Sequence, residues 1–253
     1  MKESTTGLKT IERAFEILEL LKDEKEVGVA ELSRKIDLPK STVHDYLRTL
    51  TSIGYVINDD GRYRLGFRLL EFGGQMKYRN RLFHIAKPEL ERIVENTGEI
   101  ASANIEERGR FVILHAEHSA ESLKLGIYPG ITIPIHTHAA GKVMLANYPE
   151  DRRDRIIEEH DLVAMTDHTI TDRDELCDEL KKIKEQGYAV DWNEQVVGMG
   201  VVAAPVEVDD QVIGSLGVVC PTDRLRDEEY RAELAREVQK SANIVSVNYQ
   251  YSP

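Results

Sequence analysis

Three short segments with helical periodicity open the chain. Residues 10–23 carry apolar side chains at spacings of three and four, which predicts an amphipathic helix. Its expected inward stripe is Ile11, Ala14, Phe15, Leu18 and Leu21. A second helix is expected between Gly28 and Pro39, with Leu32 and Ile36 on one face. A third, over residues 38–50, turns inward the side chains of Val43, Leu47 and Leu50.

The next stretch alternates between apolar and polar residues around Asp60-Gly61, a strong signal for a tight β-hairpin. Tyr63 and Leu65 fall on one face of its second strand, and Arg62 and Arg64 fall on the other. Three short helices followed by a hairpin is the order of elements in a winged helix-turn-helix. The order and the short connections, more than any single element, favour this motif over residues 1–66.

Residues 67–96 return to a helical pattern, interrupted by Gly73-Gly74 and Pro88. Because proline ends or kinks a helix, we expect a linker helix over 67–86 and a new helix from about Pro88. Strands are expected at 100–107, 110–118, 122–127, 201–208 and 211–219, with a turn at Asp209-Asp210, and helices at 139–148, 149–160, 172–187 and 227–247. This order predicts an α+β domain over 87–253 with a mostly antiparallel sheet.

Charge is divided unevenly along the chain. The formal net charge is -12, which argues against a general nucleic-acid binder. Residues 1–81, however, contain 15 Lys or Arg and 13 Asp or Glu, so the acidic excess lies in the remainder. Such asymmetry predicts two parts with different functions. An acidic remainder also fits a cytoplasm of high salt.

Neither a membrane span nor a disulfide framework is predicted. No apolar run approaches the roughly 18 residues of a membrane span, and residues 1–10 lack the apolar core of a signal peptide. The two cysteines, Cys177 and Cys220, form neither a disulfide framework nor a metal-binding spacing. We therefore expect a cytoplasmic protein with no membrane partner and no cofactor.

The third helix has the polar face that a DNA-reading helix needs. Recognition helices present their N-terminal side chains to base edges in the major groove. Hydroxyl groups and lysine suit bases or phosphates, and the two hairpin arginines suit phosphates as a wing. The alternative is an ordinary solvated helix face, which the order of the elements disfavours. The predicted DNA-binding residues are Lys40, Ser41, Thr42, His44, Asp45, Tyr46, Arg48, Arg62 and Arg64.

Asp45 is an exception on this face, because phosphates repel a carboxylate. It can accept a hydrogen bond from cytosine N4, or pair with Arg48 or Lys40. We interpret it as a residue that orients its neighbours or selects bases rather than one that adds affinity. Two half-sites related by a twofold axis, bound by a dimer, are the expected form of the DNA target.

A second candidate site lies where an apolar stretch gives way to a helix near residue 138. Thr137 or His138 can cap this helix. The small residues Ala139, Ala140 and Gly141 would leave their backbone amides free. The dipole and the N–H groups of a helix N-terminus bind carboxylates, so this segment predicts a site for an organic acid. The alternative for the two alanines is simple helix propensity.

With both motifs in view, the chain resembles the IclR family of transcription regulators. The resemblance runs from about residue 8 to 248 and includes "LPKSTVHDYLRTLTSIGYV", "HxxxxGKxxLA", "QGYAVDWNE" and "VVAAPVEVDDQVIGSLGVVCP". It implies a winged helix on double-stranded DNA, a GAF-like domain that holds a small effector, and assembly as a homodimer or tetramer. An archaeal-type member fits it. Asp45 departs from the family pattern, in which arginine is common.

The resemblance also implies an effector pocket, which adds to His138 and Gly141 the positions Ala139, Ala140, Asp191, Val201, Gly217 and Val219. Related proteins carry serine or cysteine at some of these positions, whereas Val201, Gly217 and Val219 cannot form side-chain hydrogen bonds. A larger, partly apolar organic acid, such as an aromatic one, therefore fits better than a very small 2-oxo acid. Asp191 could accept a hydrogen bond from a ligand hydroxyl or amine. The alternative for each valine is core packing.

Two alternatives concern metal and catalysis. H-x-x-H and H-x-H spacings can bind zinc, which would make the protein a metal-responsive regulator through His115, His118, His136 and His138. Cys220 could act as the nucleophile of an enzyme with an accessory DNA-binding module, but no base and orienting group are identifiable for it. The main prediction is a ligand-responsive transcription regulator that is not an enzyme.

Overall fold

The computed structural model of the protein describes residues 7–120, 122 and 124–251. These residues form two compact units that divide between Met76 and Lys77. Each unit has its own apolar interior, and the larger C-terminal unit has one on each side of its sheet. None of the helices in these residues is long and apolar enough to cross a membrane.

Three helices and a small antiparallel sheet make up most of the N-terminal unit. The helices are α1 (Lys9–Asp23), α2 (Val29–Lys35) and α3 (Lys40–Ser52). The strands are β1 (Val27–Gly28), β2 (Val56–Asp59) and β3 (Arg62–Leu65), in the order β1-β3-β2. Asp60 and Gly61 turn the hairpin with φ of 50° and 85°, the positive values that a two-residue hairpin turn requires. The predicted winged helix-turn-helix is confirmed.

Two helices follow the hairpin, α4 (Arg68–Arg79) and α5 (Arg81–Thr97). The break lies at Asn80, whose side chain accepts a hydrogen bond from the amide of Leu82 and so caps α5. The helix boundary predicted near Pro88 is wrong, and Pro88 lies inside α5. The helix continues because Ala86 and Leu90, on either side, are fully buried, and their packing offsets the backbone hydrogen bond that proline removes.

The apolar stripe of α1 is wider than the core that it covers. Ile17 and Leu21 are buried, whereas Ile11 and Phe15 are 54% and 61% exposed. The exposed side of the stripe lines an open groove of about 780 Å³, formed by α1, α3 and the start of α4 and called here the N-terminal groove. The inward prediction is therefore wrong for Ile11 and Phe15, because helical periodicity does not say which side of a wide stripe is covered.

Six antiparallel strands form the sheet of the C-terminal unit, in the order β6-β5-β4-β9-β8-β7. They are β4 (Ile100–Glu107), β5 (Arg110–Glu117), β6 (Thr132–Pro134), β7 (Ala189–Trp192), β8 (Met199–Val208) and β9 (Gln211–Pro221). β8 and β9 form the predicted hairpin. The strand predicted at 122–127 is wrong for its described residues. Gly126 there has φ of 64°, which is incompatible with extended backbone.

Helices cover both faces of this sheet. α5 and the long α10 (Glu228–Tyr251) pack on one face, and a short α9 (Thr222–Leu225) connects β9 to α10. The other face carries a 3₁₀ turn (Ile135–Thr137), α6 (Ala139–Asn147), α7 (Glu150–Glu159) and α8 (Arg173–Gln186). Strand side chains alternate between the two interiors, with Val201 on the α6 side and Val202 on the α10 side.

Replacing Pro88 with alanine tests the assignment of α5. Pro88 is exposed in the helix interior, so Pro88→Ala should restore a backbone N–H and raise the free energy of unfolding by up to about 3 kcal/mol. Urea unfolding followed by circular dichroism measures the change. If a helix began at Pro88 instead, proline would be favourable there, and the substitution would be neutral or destabilising.

Candidate functional site

The outward face of α3 carries four of the predicted DNA-binding side chains. Ser41, His44, Asp45 and Arg48 are exposed there, on the side of the helix away from the buried Val43. Hydroxyl, imidazole, carboxylate and guanidinium groups together offer both hydrogen-bond donors and acceptors. Such a face can distinguish base pairs in a major groove, where each pair presents its own pattern of donors and acceptors.

The other three predicted residues of α3 lie to the side of this face. Lys40 is exposed at the first residue of the helix. Thr42 and Tyr46 are half-buried and line the N-terminal groove. The ring of Tyr46 also packs against the core of the unit. Tyr46 thus departs from the predicted polar face, because its apolar ring is drawn inward.

The two hairpin arginines lie on one side of β3. Arg62 is exposed and Arg64 is half-buried, and they flank the buried Tyr63. Arg62 Nη2 donates a hydrogen bond to the carbonyl oxygen of Glu26 at 2.7 Å. Arg64 Nε donates to Asp59 Oδ2 at 2.9 Å. The wing therefore presents guanidinium groups that are already oriented by neighbouring acceptors.

Asp45 pairs with Arg48, one of the two partners expected for it. The distance from Arg48 Nη2 to Asp45 Oδ1 is 3.0 Å, and both side chains are largely exposed. Exposed ion pairs contribute little to stability because water screens them. The pair instead changes what the face offers to DNA, since the guanidinium is accompanied by a carboxylate.

The second predicted site lies between α6 and the sheet. His138 caps α6, because its Nδ1 accepts a hydrogen bond from the amide of Ala140 at 3.2 Å. Burial lowers the pKa of His138 to about 3, so the ring is neutral and can accept. The amide of Gly141 donates to the carbonyl oxygen of His138 at 2.9 Å. The prediction that the amides of Ala140 and Gly141 are free is therefore wrong.

The strand register brings the remaining predicted effector residues to the α6 side. Asp191 pairs with Val201, and Val201 pairs with Val219, in one row across β7, β8 and β9. Gly217 lies two residues before Val219 and so faces the same way. A Cβ built on Gly217 would lie 3.5 Å from the Cβ of Ala140. The predicted residues share one interface, where the two valines also belong to the apolar core.

Three buried polar side chains at this interface are not among the predicted residues: Ser102, Asn104 and Ser215. Asn104 on β4 pairs with Ser215 on β9. Ser215 Oγ donates a hydrogen bond to the carbonyl oxygen of Ala140 at 2.8 Å. Asn104 Oδ1 is buried and has no hydrogen-bond partner among the described residues. The sequence did contain a sign of this polar group, since Ser102 and Asn104 are two residues apart in an apolar strand and therefore share a face.

A buried charged cluster borders the same interface. The Nζ of the fully buried Lys142 donates to Glu194, and the amide of Glu194 donates to Asp191 Oδ1 at 2.8 Å. Burial, with the neighbouring Glu194, raises the pKa of Asp191 to about 7. Burial also raises the pKa of Glu194. Asp191 Oδ2 and Glu194 Oε2 have no hydrogen-bond partner within the described part of the chain.

Three of the four histidines considered for a metal site have separate partners. His115 Nε2 lies 2.7 Å from Glu117 Oε1, on β5, and His136 Nε2 lies 3.2 Å from a backbone carbonyl oxygen. His138 caps α6. Residues 7–120, 122 and 124–251 contain no group of three His, Cys, Asp or Glu side chains that could hold a metal. The structure does not support the metal-responsive alternative.

Cys220, the candidate nucleophile of the enzyme alternative, lies on the α10 side of β9 and is fully buried. Burial raises the pKa of its thiol to about 12. A protonated thiol is a much poorer nucleophile than a thiolate. A fully buried side chain also cannot contact a substrate. The structure therefore does not favour Cys220 as the nucleophile of an enzyme.

The titration of Asp191 should be visible in the pH dependence of stability. Its pKa of about 7 lies above the ordinary 3.8, so the folded chain binds this proton more tightly than the unfolded chain. The resulting stabilisation is complete below about pH 4 and is lost as the pH rises through about 7. Asp191→Asn should reduce the fall in unfolding free energy between about pH 5 and pH 8, measured by urea unfolding. Equal pH profiles for the two proteins would contradict this assignment.

Both parts of the chain match models of one protein family. Residues 10–60 match the domain described as "IclR helix-turn-helix domain". Residues 76–247 match the domain described as "Bacterial transcriptional regulator IclR C-terminal". The two matched ranges cover the described winged helix up to its hairpin turn and nearly all of the C-terminal unit.

Three similar proteins illustrate the likeness. The "Probable HTH-type transcriptional regulator ArcR" of Halobacterium salinarum is 29% identical over 242 residues, which are 94% of this chain and 92% of that protein. The solved IclR of Thermotoga maritima has a TM-score of 0.80 at 27% identity, over 97% of this chain and 100% of that one. A solved IclR homologue from Microbacterium hydrocarbonoxydans, complexed with 4-hydroxybenzoate, has a TM-score of 0.79 at 22% identity, over 95% and 98%.

The domain order agrees with these matches. A winged helix-turn-helix comes first, and an α+β domain with a six-stranded antiparallel sheet follows. The relatives are described as transcriptional regulators, and the matched N-terminal domain is a DNA-binding one. The chain belongs to the IclR family of DNA-binding transcription regulators.

Proposed function

We propose that this regulator binds a twofold-symmetric operator in the cytoplasm and that a small organic acid, held between α6 and the sheet, changes its operator affinity. In this proposal residues 1–66 form the DNA-binding domain, residues 67–86 a linker that consists of α4 and the start of α5, and residues 87–253 a GAF-like effector domain. The observation that carries the ligand response is a set of three buried oxygen atoms in the C-terminal unit that have no hydrogen-bond partner among the described residues: Asn104 Oδ1, Asp191 Oδ2 and Glu194 Oε2.

The DNA-binding part of the proposal rests on α3 and the wing. Ser41, His44 and Arg48 on the outward face of α3 have donors for base edges and phosphates. Arg62 and Arg64 suit phosphates beside the groove that α3 would occupy. Phosphate contacts are few in this set, so affinity should depend on salt and on the joint binding of two copies.

The N-terminal groove supports a dimer. Ile11, Phe15 and Phe72 line it and are all more than half exposed. An exposed apolar groove of this size typically marks a protein contact, and a second copy is the partner that a twofold operator requires. Two winged helices on one face of DNA read half-sites about one helical turn apart. A homodimer is therefore the smallest unit proposed, with a tetramer as its larger form.

Arg48→Ala should weaken operator binding about 5- to 150-fold, the loss that corresponds to one good base or phosphate contact. The operator is first located by footprinting DNA upstream of the protein's own gene, where two half-sites about ten base pairs apart are expected. Affinity is then measured by fluorescence anisotropy at fixed salt.

Arg155→Ala provides the matched control, because Arg155 is a similarly exposed arginine on α7 in an ion pair with Asp151. It should leave operator affinity unchanged. If no duplex is protected at low salt, with or without organic acids, or if both variants weaken binding equally, the DNA-binding assignment fails.

The effector part rests on the chemistry beneath α6. An unpaired buried polar atom is costly, so the three unpaired oxygen atoms favour a ligand that brings hydrogen-bond donors. Burial raises the pKa of Asp191 to about 7, so both its protonated and its ionised forms are accessible near neutral pH. Its protonated form can donate a hydrogen bond to a ligand carboxylate, and its ionised form can accept one from a hydroxyl.

The size and polarity of the ligand follow from its apolar neighbours. Val201 and Val219 offer only methyl groups, and Gly217 leaves space against Ala140. A partly apolar acid, such as an aromatic one with a hydroxyl group, packs its ring against the valines and donates its hydroxyl hydrogen to one of the unpaired oxygen atoms. The homologue from Microbacterium hydrocarbonoxydans is complexed with 4-hydroxybenzoate, an acid of this class. The ligand changes DNA affinity only if it binds one arrangement of the protein more tightly than another.

Gly217→Ala should weaken effector binding at least about fivefold, the effect of filling a ligand site with a methyl group or more. The added Cβ meets Ser102 Oγ at 3.4 Å and the Cβ of Ala140 at 3.5 Å, so the fold should tolerate it. A thermal-shift screen of organic acids, from small 2-oxo acids to hydroxylated aromatic acids, identifies the ligand, and calorimetry gives its affinity.

Gly28→Ala is the control, since a Cβ there meets no atom within 4 Å and Gly28 lies in the N-terminal unit. It should keep wild-type affinity for the acid. The effector assignment fails if no acid stabilises the protein, or if the acids that do so bind the Gly217 variant as tightly as the wild type.

A further inference from the structure

Carboxylates from three different elements contact the arginines of the proposed DNA-binding face. Glu26 precedes β1, Asp45 lies in α3 and Asp59 ends β2. The ion pairs and their distances are Arg62–Glu26 at 3.4 Å, Arg48–Asp45 at 3.0 Å and Arg64–Asp59 at 2.9 Å. Every arginine of the predicted set therefore faces a carboxylate of its own chain. Lys40, in contrast, contacts no carboxylate among the described residues.

These pairs are open to solvent. Arg48 and Asp45 are 71% and 65% exposed, and Arg62 and Glu26 are 56% and 48% exposed. Exposed ion pairs are weak, so a DNA phosphate can displace each carboxylate. The pairs do not lock the arginines in place. When DNA approaches, a phosphate must therefore replace the carboxylate as the partner of each arginine.

This exchange lowers the electrostatic gain of binding. Sequence-independent affinity for DNA arises mainly from counterions released when cationic side chains neutralise phosphates. An arginine that is already neutralised by a carboxylate adds less to that release. The displaced carboxylate also remains close to the phosphates and is repelled by them.

A base contact does not require the same exchange. A guanidinium has five N–H donors, so Arg48 can keep its contact with Asp45 and still donate to a base edge. The carboxylate then orients the guanidinium instead of competing with DNA for it. Random DNA presents the matching base edge to this arginine in only a fraction of binding registers, and so gains less from the orientation.

We propose that Glu26, Asp45 and Asp59 are specificity-determining residues, which compete with phosphates for three arginines and so limit binding to DNA outside the operator. The inference rests on the proposed DNA-binding function. It adds that the negative charge of these three carboxylates disfavours binding to random DNA. Asp45 has the larger role, because its arginine lies on the helix that reads bases, whereas Glu26 and Asp59 act on the wing.

The test compares the full chain with the triple variant Glu26→Gln, Asp45→Asn, Asp59→Asn on a random duplex of about 30 base pairs. The variant should bind at least about tenfold more tightly near 0.1 M salt. The slope of log affinity against log salt should steepen by about 2 to 3, because each freed arginine adds about 0.9. Fluorescence anisotropy over a salt series gives both quantities.

A matched triple variant controls for net charge. Glu228→Gln, Asp178→Asn and Asp223→Asn remove one glutamate and two aspartates that also form exposed ion pairs, in the C-terminal unit. This control should leave the affinity and the salt slope unchanged. If the two triple variants behave alike, the three carboxylates have no special role and the inference is overturned.

Two further measurements separate competition from simple repulsion. Asp45→Asn should increase the affinity for random DNA in the wild type but not in the Arg48→Met background, where no guanidinium remains to be freed. Asp45→Asn should also increase the affinity for random DNA several-fold more than it increases the affinity for the footprinted operator. Equal tightening in both backgrounds, or on both duplexes, would overturn the inference. If neither the wild type nor the triple variant binds any duplex at low salt, the proposed DNA-binding function itself fails.

Discussion

The pairing register of β8 with β9 is the constraint on which the C-terminal site depends. Side chains alternate across a sheet, so a slip of one residue would turn Val201 and Gly217 away from α6. The turn at Asp209 and Asp210, with φ of 50° and 60°, starts the pairing, and a β-bulge between Val206 and Glu207 shifts it by one residue into this register. On the other edge of β9, Gly214 lets the strand approach β4, because a Cβ there would lie 2.5 Å from the backbone oxygen of Asn104. β9 thus approaches β4 closely at one point, and the polar residues of both strands lie under α6.

The parts of the fold that follow from the sequence are those whose cause is local. Both hairpins were predicted from two-residue turns, because positive φ at an Asp or Gly is a property of the turn itself. The helix boundary predicted at Pro88 was wrong because its cause is not local. The local preference of proline ends a helix, but the cap at Asn80 and the buried residues around Pro88 decide the outcome. The exposure of Phe15 on α1 is likewise set by what covers the helix, which periodicity cannot show.

The candidate sites divide in the same way. The helix motif predicted the segment that begins at His138, and the family resemblance supplied Asp191, Val201 and Gly217, which the strand register brings to one face. The partner of Lys142 could not be predicted, because Glu194 lies 52 positions away and only the folded chain brings them together. The same holds for Arg62 and Glu26, which are 36 positions apart. Charged pairs of this kind depend on tertiary structure, and no spacing rule encodes them.

The missing side chain at Gly217 has a consequence for how such regulators diverge. In the proposed effector site, a Cβ at this position would lie 3.5 Å from the Cβ of Ala140, so a single codon change there would alter the room for a ligand. The residues proposed to read DNA lie in a separate compact unit with its own core. A duplicated gene could therefore acquire a new chemical signal while keeping its old target sequence. In that sense the architecture allows the input of the regulator to evolve independently of its output.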